Sequence, residues 1–248
     1  MAGYDFNAPR LFLDATLTAG GRVPLDRAQA NYLLNVLRLR AGGSVLAFNG
    51  RDGEWRAEVS AEGRKSADLV LIERTREQTP LPDLHYLFAP LKHARLDYMV
   101  QKAVEMGAGA LRPVFTRRTQ SARVNLERMR ANAVEAAEQC GILAVPDILP
   151  EADLDAALKA LEPDRLLVFC DEDAAAANPY EALRNLRNNK GGLAVIVGPE
   201  GGFTDEERAR VGAHESVVRV SLGPRILRAD TAAVAALAIV QAALGDWR

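Results

Sequence analysis

Near the C-terminus the chain twice repeats one arrangement, an apolar strand that runs into a glycine-containing loop and then a helix. In the first copy, Leu193–Val197 is an apolar run with the length and β-branched content of a strand buried on both faces. Gly198-Pro199-Glu200-Gly201-Gly202 follows at once, and Thr204 precedes Glu207 at capping-box spacing, so a helix starts after Thr204. The glycines of this loop let bare backbone approach a ligand at the carboxyl end of a strand, where open α/β sheets bind small molecules.

In the second copy, Val217–Ser221 is the strand and Leu222-Gly223-Pro224-Arg225-Ile226-Leu227-Arg228 the loop. Asp230 or Thr231 is expected to cap the alanine-rich helix Ala232–Leu244, which Gly245 ends. Each loop alone reads equally well as an ordinary strand-to-helix turn. If their strands are neighbours, the two loops form facing walls of one crevice.

The rest of the chain supplies a frame for such a crevice. From His85 onward strands and helices alternate, which predicts a largely parallel sheet covered on both sides by helices. Strands are expected at Leu84–Phe88, Leu111–Phe115, Arg165–Cys170, Leu193–Val197 and Val217–Ser221. Helices are expected at Leu96–Met106, Leu126–Gln139, Leu154–Leu161, Pro179–Asn188, Asp205–Val211 and Ala232–Leu244. No GxGxxG follows any of these strands and no GK[ST] occurs, which excludes a dinucleotide Rossmann site and a P-loop NTPase. Residues 1–74 read as a small β-rich domain: short extended pieces at Arg10–Leu13 and Arg22–Pro24, a helix capped by Asp26 and Gln29 and running to Val36, then strands Ser44–Asn49, Glu54–Ser60 and Ala67–Ile72 with a turn signal at Asp52-Gly53. Thr75–Pro82, with two prolines and mixed charge, is the expected linker into a second domain, residues 75–248.

Composition narrows the function classes. The chain of 248 residues is 48% apolar and 26% charged, enough to bury a sizeable core, and its longest apolar run, Ala232–Val240, is far too short to span a bilayer. The opening MAGYDFNAPR lacks a charged stretch followed by an apolar one, so a cytoplasmic protein without a membrane partner is expected. Cys140 and Cys170 have no metal-like spacing to each other or to His85, His93 and His214, so neither a disulfide nor a metal site is indicated. Net charge is −2, yet between His85 and Arg130 nine basic residues face three acidic ones, while between Gly141 and Lys190 five basic face ten acidic. A clustered positive surface can collect phosphate backbone even on a slightly acidic protein; the same residues also read as a solvated helical face.

The two loops together, GPEGGFTDEE and LGPRILRADTA in that order, resemble the signature of the RsmE family of SPOUT-class RNA methyltransferases. Earlier segments match the family as well: Pro9-Arg10-Leu11-Phe12, Val36-Leu37-Arg38 with Gly42-Gly43, Lys92, Gln101-Lys102, Glu105, Gly107, Pro113, Arg118-Thr119, Glu135-Ala136-Ala137-Glu138-Gln139 and Val145-Pro146. The chain departs from the pattern where Tyr32 replaces a usual histidine, Ile142 a usual arginine and Asp230 a usual glutamate. The resemblance implies an α/β fold: a C-terminal SPOUT domain with a parallel sheet tied in a trefoil knot, preceded by a PUA-like RNA-binding domain. It implies a homodimer that uses S-adenosylmethionine to methylate N3 of a uridine in small-subunit ribosomal RNA, either free or in the assembled small subunit. The alternatives are a SPOUT methyltransferase acting on another RNA atom or substrate, and a non-catalytic RNA-binding assembly factor.

Read with that resemblance, the cofactor-binding set is Phe169, Cys170 and Asp171 at one strand end, Val197, Gly198, Glu200, Gly201 and Gly202 in the first loop, and Ser221, Leu222, Gly223, Ile226, Leu227, Arg228 and Thr231 in the second. Leu222, Ile226 and Leu227 offer apolar surface to adenine. Uracil N3 must lose a proton before it is methylated, so the site needs a base or a group that stabilises the uracilate. Arg228 is the expected stabiliser, because a guanidinium keeps its charge and presents parallel donors. Glu200 or Asp230 is the expected proton acceptor; Asp230 reads equally as a helix cap and Glu200 as a partner of a loop amide or of ribose. Arg10, Arg38, Lys92, Arg117 and Arg118 are expected to engage RNA phosphates, although Arg10 and Arg38 also read as surface ion pairs. Replacing Arg118 by alanine is expected to weaken RNA binding and flatten its salt dependence while leaving cofactor binding intact.

Overall fold

The computed structural model describes residues 8–61, 66–92, 94–174, 178–186 and 191–247. The chain divides into two compact units, one made of the chain up to Pro80 together with Ala137–Val145, the other of Leu81–Ala136 and everything from Pro146 onward. The return of a short later segment to the first unit was not legible in the sequence. It is held by long-range bonds: the Phe12 amide donates to Glu138 Oε1 at 2.9 Å and Arg76 donates to the Gly141 carbonyl at 3.0 Å.

The first unit contains β1 (Arg10–Phe12), β2 (Arg22–Pro24), α1 (Arg27–Asn31), β3 (Ser44–Phe48), β4 (Glu54–Ala61) and β5 (Ala67–Arg76). The sheet runs β1-β3-β4-β5-β2, antiparallel except where β1 lies parallel to β3. The capping box at α1 forms as expected, Gln29 N–H donating to Asp26 Oδ1 at 2.8 Å and Asp26 N–H to Gln29 Oε1 at 3.1 Å. The helix does not stay α-helical to Val36: Tyr32–Val36 is a π-helical turn, and Arg38 beyond it sits at φ +57°, a left-handed conformation that costs a side-chain-bearing residue energy. Strand β5 extends through Arg76, into the stretch expected to link the domains, because Thr75 Oγ1 donates to Glu54 Oε1 at 2.9 Å. Leu33, Val45, Ala57, Leu69 and Leu71 are among the fully buried residues of this unit's core.

One expectation is corrected here. Arg10, placed at the RNA surface by the resemblance, is buried with its side chain 4% exposed, its Nε 3.4 Å from a Glu54 carboxylate that is equally buried. Both groups are turned inward, Glu54 at a register irregularity of β4, and a guanidinium neutralised inside the unit does not reach a phosphate.

The second unit is built on β6 (Leu84–Phe88), α2 (Ala94–Glu105), β7 (Ala110–Phe115), α3 (Leu126–Cys140, whose last residues belong to the first unit), β8 (Asp147–Ile148), β9 (Ala152–Asp153), α4 (Leu154–Lys159), β10 (Leu166–Cys170), α5 (Pro179–Arg184), β11 (Leu193–Val197), α6 (Asp205–Gly212), β12 (Val217–Val220) and α7 (Ala229–Ala243). The sheet runs β12-β10-β11-β6-β7-β8, with β9 also on β7, and every pairing is parallel. This is the covered parallel sheet that the alternation predicts; the two-residue strands β8 and β9 were too short to read. Thr204 caps α6 with Glu207 completing the box, and Asn178 caps α5 with Pro179 at its first position. The helix expected over Pro179–Asn188 ends earlier, at Arg184, with Asn185 as its C-cap; residues 187 and 188 of that expectation lie outside the described residues, as does His93. Helix α7 begins three residues earlier than expected: its N-cap is Arg228, not Asp230 or Thr231, and Asp230 lies inside the first turn.

Candidate functional site

Three neighbouring strands end level with one another. Cys170 of β10 pairs with Val197 of β11 on one side and Val220 of β12 on the other. The segments that leave these strands therefore emerge side by side at the carboxyl edge of the sheet, and the two glycine loops meet in one cavity of about 320 Å3. That volume lies at the lower end of the ~300–1,000 Å3 of small-molecule pockets.

Most of the expected cofactor residues line this cavity: Cys170, Asp171, Val197, Gly198, Glu200, Gly202, Ser221, Leu222, Gly223, Ile226 and Leu227. Four do not. Phe169 is fully buried behind the wall, edge-on to Phe203 with ring centroids 5.3 Å apart, because successive side chains of a strand face opposite ways and Cys170 takes the cavity side. Gly201, Arg228 and Thr231 belong to the loops, yet lie outside the lining. The structure adds Glu172, Phe203 and Arg208 to it.

Backbone geometry explains the glycines. Gly202 at φ +70° and Gly223 at φ +103° adopt conformations that side chains rarely take. A Cβ at Gly198 would lie 2.6 Å from the Phe203 ring. Gly201, by contrast, has only the aliphatic part of Arg118 nearby, at 3.3 Å.

The floor is a charge network. Asp171 is buried and accepts from Arg208 Nε at 3.2 Å and Arg219 Nε at 2.9 Å, while Arg208 also reaches Glu172 at 3.0 Å and Asp173 at 2.9 Å. Arg208 comes from α6, so the helix after the first loop is tied to the segment after β10. With two guanidinium partners, Asp171 ties the segment after β10 to α6 and to β12. Burial, and to a lesser degree the Asp171 carboxylate beside it, push the Cys170 thiol up to about 12, so it forms a neutral wall.

Of the expected catalytic residues the structure brings together Glu200 and Asp230, and it does so through a residue that sequence reasoning counted only as part of a basic segment. Arg95, in the first turn of α2, donates through Nε to Asp230 Oδ2 at 3.1 Å and through its NH2 to Asp230 Oδ1 at 3.3 Å, and its remaining NH1 pairs with Glu200. Partial burial pushes the Asp230 carboxyl up, but the Arg95 guanidinium and the Thr231 amide outweigh it and hold the group below the ordinary carboxylate range. Arg228 is not part of this cluster. Its backbone caps α7 and its exposed guanidinium has no hydrogen bond or ion pair among the described residues. The only signal for Arg95 was its place between Lys92 and Gln101, since its role depends on β6 lying next to β11.

Lys92, Arg117 and Arg118 are exposed on the second unit, and Arg38 is exposed on the first. The loop after β7 is docked on the first glycine loop. The Arg117 amide donates to Glu207 Oε1 at 2.8 Å, and Arg118 donates to the Gly201 carbonyl at 2.6 Å. Among the described residues no group of three or more His, Cys, Asp or Glu side chains could hold a metal, and no helix is long and apolar enough to cross a membrane.

A parallel sheet whose adjacent strand ends open two glycine loops into one cavity matches what comparison with known proteins finds: the RNA methyltransferase domain family covers residues 77–241, and the RNA methyltransferase PUA domain family covers residues 25–72. Within that class, the chain belongs to the ribosomal RNA small subunit methyltransferase E family. It is 31% identical to the protein of that name from Synechocystis, over 96% of this chain and 76% of the relative, and 29% identical to the one from Rickettsia conorii, over 94% of each. A crystal structure of the Neisseria gonorrhoeae protein of that name, bound to S-adenosyl methionine, superposes with a TM-score of 0.86 at 29% identity, covering 98% of this chain and all of that one.

Proposed function

We propose that the chain uses S-adenosylmethionine to methylate N3 of a uridine in small-subunit ribosomal RNA. The observation that carries this reading is the level ending of β10, β11 and β12, which turns two separate glycine loops into facing walls of one cavity. The residues present fit the donor. Gly202 and Gly223 free backbone groups at positive φ, and Leu222, Ile226 and Leu227 give an apolar wall for a nucleobase. Glu172 and Glu200 add acidic groups to the same cavity, suited to ribose hydroxyls and to a cationic ligand.

The bound donor supplies a methyl carbon on a sulfonium: the ring nitrogen's electron pair forms the new N–C bond, the C–S pair returns to sulfur, and the N3 proton leaves. Glu200 and Asp230, held by Arg95, are the carboxylates at hand to take that proton. Arg228, exposed and without a partner among the described residues, is available to meet negative charge on the uracil carbonyl oxygens. Lys92, Arg117, Arg118 and Arg38 are available for phosphates, with base contacts left to the groups around the cavity.

The same reading divides the labour between a PUA-like RNA-binding domain, residues 1–74, and a methyltransferase domain, residues 75–248. It has the latter tied in a trefoil knot, and the protein working as a cytoplasmic homodimer without a metal. Incubating purified small subunits, free small-subunit RNA and transfer RNA with methyl-labelled donor, then identifying the product nucleoside by mass, tests the reading. N3-methyluridine from the small-subunit substrates is expected. A ribose 2′-O-methyl product or label confined to transfer RNA would replace it by another methyltransferase, and RNA binding without donor binding would replace it by an assembly factor.

A further inference from the structure

We propose that Arg95 is a positioning residue for methyl transfer, holding the side chains of Glu200 and Asp230 around one guanidinium at the edge of the donor cavity. The proposal rests on the methyl-transfer reading above and adds to it a residue from outside both glycine loops.

Three separate segments converge on this cation. Arg95 comes from the start of α2, Glu200 from the loop after β11 and Asp230 from the first turn of α7. The contact is directional: Nε and one NH2 fork onto the two oxygens of Asp230, leaving the other terminal nitrogen for Glu200. Glu200 itself lines the cavity, as do Ala229 and Ala232 on either side of Asp230. The three side chains are 35%, 35% and 17% exposed, and ion pairs so placed contribute little to stability. The arrangement therefore fixes positions and charges rather than the fold.

The charges matter because two carboxylates facing one space repel unless a cation stands between them. Arg95 is that cation. The other groups around the pair are the Thr231 amide, which donates to Asp230 at 2.9 Å, the Tyr86 phenol, whose ionisation is opposed first by burial and then by Cys170 and Asp230, and the exposed Lys92, whose carbonyl accepts the Arg95 amide. Neither Tyr86, held neutral, nor the amide can replace the guanidinium. With Arg95 in place, its guanidinium and the Thr231 amide hold the Asp230 carboxyl below the ordinary carboxylate range, and Glu200 pairs with the same cation. A proton leaving the ring nitrogen can then pass to one of these two side chains.

The test compares Arg95→Gln and Arg95→Lys with the unaltered protein in donor affinity by calorimetry, thermal unfolding, and methylation of small subunits across pH. In Arg95→Gln, donor affinity within about twofold and unfolding close to that of the unaltered protein are expected. Its kcat should fall about tenfold or more, and the acid limb of its pH profile should move up by about one unit. Arg95→Lys should restore the position of the limb but not the full rate, because an ammonium lacks the fork. An unshifted limb with unaltered rate in Arg95→Gln overturns the proposal, and so does loss of donor binding, which would make Arg95 part of the donor site. Failure of the methyl-transfer reading is separately visible, since the unaltered protein would then neither bind donor nor methylate.

Discussion

Arg118 donates from its guanidinium to the carbonyl of Gly201 at 2.6 Å, so a residue expected to meet RNA phosphate also holds the first glycine loop. The neighbouring Arg117 amide on Glu207 gives the two segments a second tie, and Glu207 simultaneously accepts the Thr204 amide at 2.8 Å to start α6. The segment after β7 and the glycine loop are thus one docked body. An event on either is felt by the other, and any coupling must be reciprocal.

This contact changes what the sequence alone leads one to expect for Arg118→Ala. RNA binding should weaken, with the slope of log affinity against log salt falling by about one. Donor binding should weaken as well, by about fivefold, because a charge-assisted bond to the loop worth about 1 kcal/mol is lost. Calorimetry with the donor and filter binding across a salt series read the two effects. Unchanged donor affinity would show that Gly201 is held well enough by the rest of the loop.

The glycines of the first loop are not equivalent. Gly202→Ala places a side chain at φ +70° and directs it at the Glu172 carboxylate, while Gly198→Ala directs one into the buried Phe203 ring. The first should cost about 1–2 kcal/mol of loop conformation, read mainly as lost donor affinity since Glu172 is exposed and can move. The second should cost about 1–3 kcal/mol of global stability through overpacking. Gly201→Ala should be the mildest, meeting only a movable Arg118 stem. Thermal unfolding and donor titration of the three variants check this order.

What the sequence made legible was local. The caps at Asp26, Asn178 and Thr204, and the strands Leu84–Phe88 and Leu193–Val197, depend on residues a few positions apart and on apolar runs, and they fall where expected. What it hid was set by partners far along the chain. Asp230 has the composition of a helix cap, but its carboxylate is taken by Arg95, 135 residues away, and the cap passes to Arg228. Arg10 looks like a surface cation until β4 brings Glu54 beside it. Phe169 carries the right motif but the wrong strand parity for the cavity. The crevice could be inferred because two loops near in sequence repeat one pattern; Arg95 could not, because its place depends on β6 lying next to β11.

The cysteines offer a check on the electrostatics of the cavity wall. Thiolate, the reactive form, appears only as pH rises towards the thiol's pKa, and that of Cys170 is pushed up to about 12. At about pH 8 the Cys170 side chain therefore stays almost entirely in the unreactive thiol form. Iodoacetamide should therefore modify the exposed Cys140 much faster than Cys170, as read by peptide mass mapping. Cys170 labelling should rise steeply with pH and fall when donor fills the cavity. Rapid labelling of Cys170 at neutral pH would mean that the wall is more open or more positive than the packing around Asp171 implies.

The first unit has its own internal charge pair, and its energetics differ from those of the exposed cluster at Arg95. Arg10 and Glu54 each have side chains only 4% exposed, and Glu54 is further engaged by Thr75 at 2.9 Å and Arg76 at 3.4 Å. Removing one member of such a pair strands the other in a poorly solvated site, which costs about 3–5 kcal/mol, whereas breaking an exposed pair costs ~1 kcal/mol or less. Arg10→Ala should accordingly lower the unfolding midpoint strongly. Arg10→Met with Glu54→Leu, which removes both charges and keeps the volume, should recover much of the loss. Donor binding should persist in the double variant, because the residues that line the cavity all belong to the second unit. If instead Arg10→Ala unfolds like the unaltered protein but binds RNA less tightly, Arg10 leaves its pocket to reach phosphate, and the original expectation for it stands.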